Sequence, residues 1–569
     1  TENLTVNGNV MYARTDMNAF GRGNNVNGML LGALRTPPDF DNGTFQTAEG
    51  QQRSWRFPNP APGANRLNRG FDNPFYVANI GETAPQVADR TIGNVGLQYD
   101  PLSWLNISYN LGLDFTAEDR AEVRPEQSSG APVGGSIVRW QFNQRNIDHN
   151  LVARATKEWG ENFSTRFSVG QQLNQQHFRQ VFATGNTFVA ATPWRIDNTT
   201  SQVPPTDADT KTRLEGYFGQ VQIDLYKQLF ITLLARNDGS STFGTETNRA
   251  WYPNAQVAWN FTERFKIPGV TTGKLRAGYG QTGNIPNAYQ LQSIFLGGTN
   301  IIADFNPGSV LVPTIAGQGG LFAGATRGNN RIRPERVTEV EVGGDFAFLN
   351  NRVDLGVTYY NTQTRDGIVT AVLPPSTGFG FETRNAVSMR NIGLELQGNV
   401  RVFQSRDWQI DLGGNYAFNR NRVQSLGDPA VQTLGVGSSF GGRTTNAVVG
   451  EQLGVIRGTD FARCRFGEAT NTVGGVDINA ACRAAGAPDG ALYIGANGFP
   501  VADPTERTIG DPNPNYFAGV RTGVTFRRLS FNTFWDIRNG GTIQNMTKAS
   551  MYNYGTHRDT EIRGSTVTF

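Results

Sequence analysis

One stretch limits what this chain can fold into more than any other. From Val337 to Tyr360 the sequence reads VTEVEVGGDFAFLNNRVDLGVTYY. Val340, Val342, Phe346 and Phe348 recur at every second position, with Glu339, Glu341 and Asp345 between them. After Leu349-Asn350-Asn351-Arg352 the alternation resumes as Val353, Leu355, Val357 and Tyr359 against Asp354 and Thr358. Period two with one apolar and one charged face specifies β-strands. Four connecting residues specify a hairpin. Each strand has roughly the 9 to 11 residues that carry a tilted strand across a bilayer.

The same pattern recurs along the chain. Leu4, Val6, Val10 and Tyr12 alternate before a Gly/Asn/Pro-rich stretch of about eighty residues, read as a long loop. Val95-Leu97-Tyr99 turns at Asp100-Pro101 and returns as Leu105 to Phe115, followed by a long loop to about Asn146. Leu151 to Ala155 turns through Trp159-Gly160-Glu161-Asn162 into Phe163 to Val169, and a loop of about forty residues follows. Tyr217 to Leu225 turns at Tyr226-Lys227-Gln228 into Leu229 to Arg236. Strands near Tyr252 to Asn260 and Lys274 to Gln281 lead to the central hairpin. After it come Ile392 to Val402, Trp408 to Phe418, a long irregular segment, and finally Val520 to Phe526, which turns at Arg527-Arg528 into Leu529 to Ile537.

Short and long connections alternate strictly, which is the habit of a transmembrane barrel with short periplasmic turns and long extracellular loops. Trp104, Trp159 and Trp408 stand beside short turns, where an aromatic belt meets headgroups, and Tyr12, Phe115, Tyr359 and Phe418 stand at the opposite strand ends. Aromatics filling a soluble β core are the competing account. Composition favours the barrel: charged residues are only 17% and hydrophobics only 38%, against 68 glycines, a mixture suited to strands apolar on one face and neutral-polar on the other. No run of 18 apolar residues supplies a transmembrane helix, and no charged-then-apolar leader opens the chain, so Thr1 reads as a mature or truncated start. A net charge of +3 gives no case for nucleic acid.

The chemical motifs weigh little. Gly278-Tyr-Gly280-Gln-Thr-Gly283 fits GxGxxG but has Pro286 and no helix pattern behind it, so no pyrophosphate cradle is expected. Gly437-Ser-Ser439-Phe-Gly441 fits GxSxG without a following helix. His149, His177 and His557 lie far apart in sequence, and no catalytic group, cofactor site or metal site is expected, nor is the chain expected to be an enzyme. Cys464 and Cys482 lack the companions of a zinc site; a disulfide clipping a loop is expected, with two free thiols as the alternative. Trp55, Trp140 and Trp194 are assigned to long loops, where they could contact substrate or pack loop against loop. Glu339, Glu341, Asp345, Glu395 and Asp411 are expected to face a wet or plugged lumen.

Three blocks in order, RNDGSSTFG from Arg236, AWYPNAQVAWNFTERF from Ala250 and KLRAGYGQTGN ending at Asn284, closely resemble the SusC/RagA-type TonB-linked outer-membrane proteins. The resemblance continues through RPERVTEVEVGGDFAFLNNRVDLGVTYYNTQTRDGIV, MRNIGLELQGN at Met389, VGEQLGVIRG at Val449 and IGDPNPNYFAGV at Ile509. It implies an all-β transmembrane antiparallel barrel, with about 15–16 strands here of about 22 in the family form. On that reading residues 1–569 are one partial barrel, and the N-terminal domain, the plug and terminal strands of the family form have no match. It further implies the outer membrane of a Gram-negative bacterium and active import of oligosaccharides or peptides. Its implied partners are a SusD-like surface lipoprotein, outer-membrane lipid, and TonB-ExbB-ExbD acting through a plug. The family's NGDG-like turn is replaced by GANGFPVADPTERTIGDPNP, which leaves a calcium site unsupported. The alternatives from other classes are a passive porin-like channel and a surface-anchored binding or structural barrel.

Overall fold

The computed structural model describes residues 3–19, 28–55, 71–79, 84–129, 132, 134–298, 320–429, 431–436 and 444–562. The chain divides into two compact units, Thr1–Ala153 with Gly170–Gly216 and Gln544–Phe569, and Arg154–Val169 with Tyr217–Ile543. The segment Gly437–Gly441 lies outside the described residues.

The first unit holds β1 (Leu4–Ala19), β2 (Ala84–Leu102) and β3 (Leu105–Arg124), paired antiparallel in that order. Strands β4 (Ser136–Glu158), β5 (Phe163–Phe188) and β6 (Thr199–Leu225) contribute residues to both units. The second unit holds β7 (Leu229–Ser240), β8 (Arg249–Asn260) and β9 (Val270–Asn284), then β10 (Glu335–Phe348), β11 (Val353–Val372), β12 (Phe381–Gln404) and β13 (Trp408–Ser425). Its last two long strands are β14 (Pro514–Phe526) and β15 (Leu529–Gly540). From β7 to β15 each long strand pairs antiparallel with the next. Among the described residues no helix is long and apolar enough to cross a membrane, which leaves strands as the spanning elements of any membrane form.

The short turns fall where the alternation breaks. The β10–β11 turn is Leu349 to Arg352, with Leu349, Asn350 and Asn351 all in the left-handed region, at φ +53, +58 and +62. Two of the three are asparagines, which tolerate that conformation best after glycine. Tyr226 and Lys227 turn β6 into β7 the same way, each at φ +56.

The long connections differ from the sequence reading. The loop expected to run to Asn146 shrinks to residues 125–135, because β3 and β4 extend towards each other, and the loop of about forty residues after Val169 becomes the ten between β5 and β6. The added strand meets water on both faces, as in Ser201 to Asp209, exposed throughout. Such strands are held by the backbone ladder with water on either side, so no apolar face writes period two into their sequence. The segment following β1 is also not bare loop: it carries α1 (Met29–Arg35) and α2 (Pro74–Asn79).

The stretch between β13 and β14, read as irregular, contains a folded module. Strands Thr433–Gly435, Thr444–Val448, Val455–Phe461 and Ala502–Gly510 form one sheet in that order. Helix α3 (Ile478–Ala484) starts at Asp477, whose carboxylate accepts the Ala480 N–H at 3.0 Å. A small sealed core of Ala462, Cys464, Val473, Ile478 and Cys482 lies inside, and Cys464 and Cys482 are joined as a disulfide.

Candidate functional site

The ladder of the second unit sorts side chains into two faces. Lys274 stands opposite Asp345, which stands opposite Gly356, and the row continues through Gln397 and Asn415. Arg276, Thr358 and Glu395 occupy the next row on the same face, and Glu341, then Glu339 with Thr362, the rows above. Asp411, opposite Arg401, belongs to this face as well. All five carboxylates singled out from sequence therefore share one polar face. Arg276 ties three strands together: it donates to Glu341 and to the Thr358 hydroxyl, and its Nε lies 3.5 Å from Asp345. Glu339 accepts from the Thr362 hydroxyl at 2.7 Å, and Asp411 from Gln409 at 2.6 Å. Glycines Gly343, Gly356 and Gly393 stand among these groups, and beside Gly356 lies a recess of about 400 Å³ lined also by Lys274, Asp345, Gln397 and Asn399. With both charge signs and neutral amides, this wall can hydrogen-bond polar solutes but presents no nucleophile with its base.

The opposite face is apolar and open. Ala277, Val342, Tyr359, Leu394 and Phe418 form one continuous row, and Leu275, Val357, Leu396 and Tyr416 the next. Val342 is 54% exposed and Tyr359 46%, far more than a soluble protein leaves open along a continuous band. From Val340 to Phe348 the band runs roughly 25–30 Å along the strand, at about 3.4 Å per residue. The first unit repeats it: Val6, Leu97 and Tyr109 form one row and Val10, Gly93 and Leu113 another, with Asn7, Gly96 and Asn110 on the polar side.

The sequence blocks that carried the family resemblance turn out to brace strand ends. Phe243, Ala250 and Tyr252 make a buried cluster. Gly244 donates its N–H to the Ile332 carbonyl at 3.1 Å, and a Cβ there would collide with the Asn330 carbonyl. Asn284 donates to Glu335 at 2.9 Å. At the module, the VGEQLGVIRG and IGDPNPNYFAGV blocks meet: Gln452 donates to Asp511 at 2.6 Å, and Asn513 to the Leu453 carbonyl at 3.0 Å. Sequence reasoning assigned these blocks no role; their density of Gly, Pro and Asn was the available signal.

This two-faced sheet has known relatives. Residues 15–475 match the family model described as TonB dependent receptor-like, beta-barrel. The chain belongs to that TonB-dependent receptor barrel family. TonB-dependent receptor P3 of Formosa agariphila is 25% identical over 501 residues, covering 85% of this chain and 47% of the relative. TonB-dependent receptor SusC of Bacteroides thetaiotaomicron is 24% identical over 389 residues, covering 63% of this chain and 36% of SusC. Among solved structures, the RagAB peptide transporter matches with a TM-score of 0.71 at 17% identity, over 94% of this chain and 56% of that one. The chain thus spans about half the length, or less, of the curated relatives it matches.

Within this TonB-dependent receptor barrel, the remaining sequence candidates stay apart. Trp55 stacks on Phe71 at 5.9 Å and meets the edge of Tyr554 at 5.7 Å, and Arg35 lies over Phe71 at 4.3 Å, so its ring packs loop and helix segments of the first unit together. Trp140 is not in a loop: it lies in β4, 5.6 Å from Phe182, because that strand extends past the point where its alternation fades. Trp194 sits half-buried in the β5–β6 connection beside the cis Thr192–Pro193 bond. His149 meets the Tyr109 hydroxyl at 2.8 Å, His177 meets Asp209 at 2.9 Å, and His557 lies 3.4 Å from Asp559; no group of three metal-ligating side chains occurs among the described residues. Gly278 to Gly283 lies wholly inside β9, with no helix to follow it.

In the module, Asn471 and Asn479 are buried and bonded to each other at 2.8 Å, and Asp503, 1% exposed, accepts the Thr505 N–H at 2.9 Å. Arg465 and Arg507 approach its other oxygen at 3.5 and 3.6 Å. Burial, the largest single influence, pushes the Asp503 carboxyl upward. Thr505 and the two guanidiniums together outweigh it and hold it below the usual carboxylate range.

Proposed function

We propose that this chain is the barrel portion of an outer-membrane, TonB-dependent importer of large nutrients, oligosaccharides or peptides, working with a SusD-like surface lipoprotein. The observation that carries this reading is the sorting of the paired strands into an apolar band of bilayer height and a polar face rich in carboxamides, charges and glycine. In lipid, the apolar face needs no protein cover, and the polar face lines the lumen. There Glu339, Glu341, Asp345 and Asp411 hold the wall through their pairs with Thr362, Arg276 and Arg401, and together with Glu395 they offer hydrogen bonds to a passing solute or to a plug. Energy would reach the lumen from TonB-ExbB-ExbD through the plug of the family form. The similarity to SusC and to a peptide transporter supports the substrate class in its broad form.

Uptake of labelled oligosaccharides and peptides by cells carrying the full receptor tests the reading. Import is expected to vanish when the TonB system is removed and to fall sharply without the neighbouring lipoprotein. A large, constant ohmic current through the purified protein, with uptake indifferent to TonB, would identify a passive pore instead.

A further inference from the structure

Just beyond the apolar band, at the end away from the Leu349–Arg352 turn, the outward face becomes strongly basic. Arg336 stands directly opposite Arg365 on β10 and β11, and Arg390 directly opposite Arg422 on β12 and β13. Arg420 stands opposite Ile392, at the last row of the band. The parity of the ladder puts all five on the face of Val342, Tyr359, Leu394 and Phe418. All five are exposed.

Like charges directly opposite one another across an antiparallel pair are destabilising, their Cα atoms only about 4.5–5.5 Å apart. Here the arrangement occurs twice on neighbouring strand pairs. The same-face neighbours, Thr338, Asn361, Gln363, Ser388 and Gln424, are all neutral, and the nearby carboxylates Glu339 and Glu341 lie on the opposite face. Arg390 donates to Asn361 at 2.9 Å, and among the described residues none of the five arginines pairs with a carboxylate. By contrast, two arginines of the polar face are neutralised within the protein, Arg276 by Glu341 and Arg401 by Asp411. Rows two residues apart are about 6.6–6.8 Å from each other, so the cluster covers a patch the size of a small phosphorylated headgroup. Guanidinium forks match phosphate oxygens in pairs, and the adjoining apolar rows suit acyl chains.

We propose that Arg336, Arg365, Arg390, Arg420 and Arg422 form a binding site for the phosphate-bearing headgroup of an outer-leaflet lipid, whose acyl chains lie on the row of Val342 and Leu394 and on the row of Val357 and Leu396. The site rests on the outer-membrane reading of the sheet but not on what is imported. Its failure would leave nutrient uptake as it was.

Native mass spectrometry of the full receptor in detergent, with bis-phosphorylated lipid A as the probe, tests the proposal. Retained lipid is expected on the wild type. R390Q/R422Q is expected to lower the retained fraction at least tenfold, R336Q/R365Q severalfold, and R521Q, on the polar face, not at all. Dephosphorylated lipid A is expected not to be retained, and inorganic phosphate in excess not to displace the probe. Equal retention by both double variants, equal retention of dephosphorylated lipid, or displacement by inorganic phosphate would each overturn it. Heat-modifiable mobility checks that each variant has assembled. If R390Q/R422Q fails to assemble, the R336Q/R365Q comparison decides.

Discussion

The β10–β11 hairpin and the disulfide-clipped module between β13 and β14 are built on opposite physical plans. The hairpin has no sealed interior: Gly343, Gly344 and Gly356 thin it, Val342 and Tyr359 stay open on one side, and charges line the other. What holds it is an unbroken antiparallel ladder from Arg336/Arg365 to Phe348/Val353 and the surroundings each face meets. The module has short strands with shifted registers but a dry core, with Ala462 and Ile478 fully buried around the Cys464–Cys482 bridge. The first depends on its solvent on both sides, the second on its own interior.

The comparison breaks most easily at the middle of the apolar band. Val357→Arg puts a charge on the row shared with Leu275 and Leu396, and about 2–4 kcal/mol of stability is expected to be lost in urea titrations of vesicle-inserted protein. Gln397→Arg, on the polar face opposite Gly356, is expected to cost less than about 1 kcal/mol. Equal costs would mean that the two faces meet the same medium. Removing the bridge is the counterpart for the module. Cys464→Ala with Cys482→Ala should release about 3 kcal/mol of constraint for this loop length, seen as proteolysis within residues 444–510 while the long strands stay protected. Loss of the strands along with the module would show that the two fold as one.

How legible each region was in the sequence follows from the same contrast. The hairpin announced itself because an apolar face repeats every second residue, and its four-residue turn was read to the residue. The upper half of β6, from Ser201 to Asp209, left no such trace, since both of its faces meet water and its ties to β5 include the polar pairs His177–Asp209 and Arg179–Asp207 rather than an apolar face. The module was illegible for another reason. Its strands are too short for periodicity, and its buried polar side chains, Asn471, Asn479 and Asp503, look like loop residues until their partners are seen. The polar face was readable as a set of alternating carboxylates, but the part of Arg276 was not, because its partners lie on two other strands.

A smaller effect sharpens what glycine does on the polar face. Tyr360 lies over Gly393 on the next strand, where a Cβ would overlap its ring, and its hydroxyl donates to Asn419 at 3.3 Å. Gly393→Val should therefore cost about 1–3 kcal/mol through overpacking. Tyr360→Ala in the same molecule should return part of that loss, because the obstructing ring is gone. A double-mutant cycle with no coupling between the two positions would remove the ring-over-glycine contact as the cause.

The smallest expected effect separates the regions by pH. Asp503 has its carboxyl held below the usual range, so its ionised form is favoured by the folded module. The stability it contributes is fully present above the unfolded carboxylate value of about 4 and is lost as pH falls through the lower folded value. Amide exchange in residues 455–510, taken relative to the intrinsic rate at each pH, should then stay flat from about pH 7 to 5 and quicken only below about 4. Asp503→Asn should remove much of that dependence while leaving the hairpin amides unchanged. Quickening that starts near pH 6 would point to a histidine, and none stands between β13 and β14. The acid response of the module would then have to originate outside the Asp503, Arg465 and Arg507 cluster.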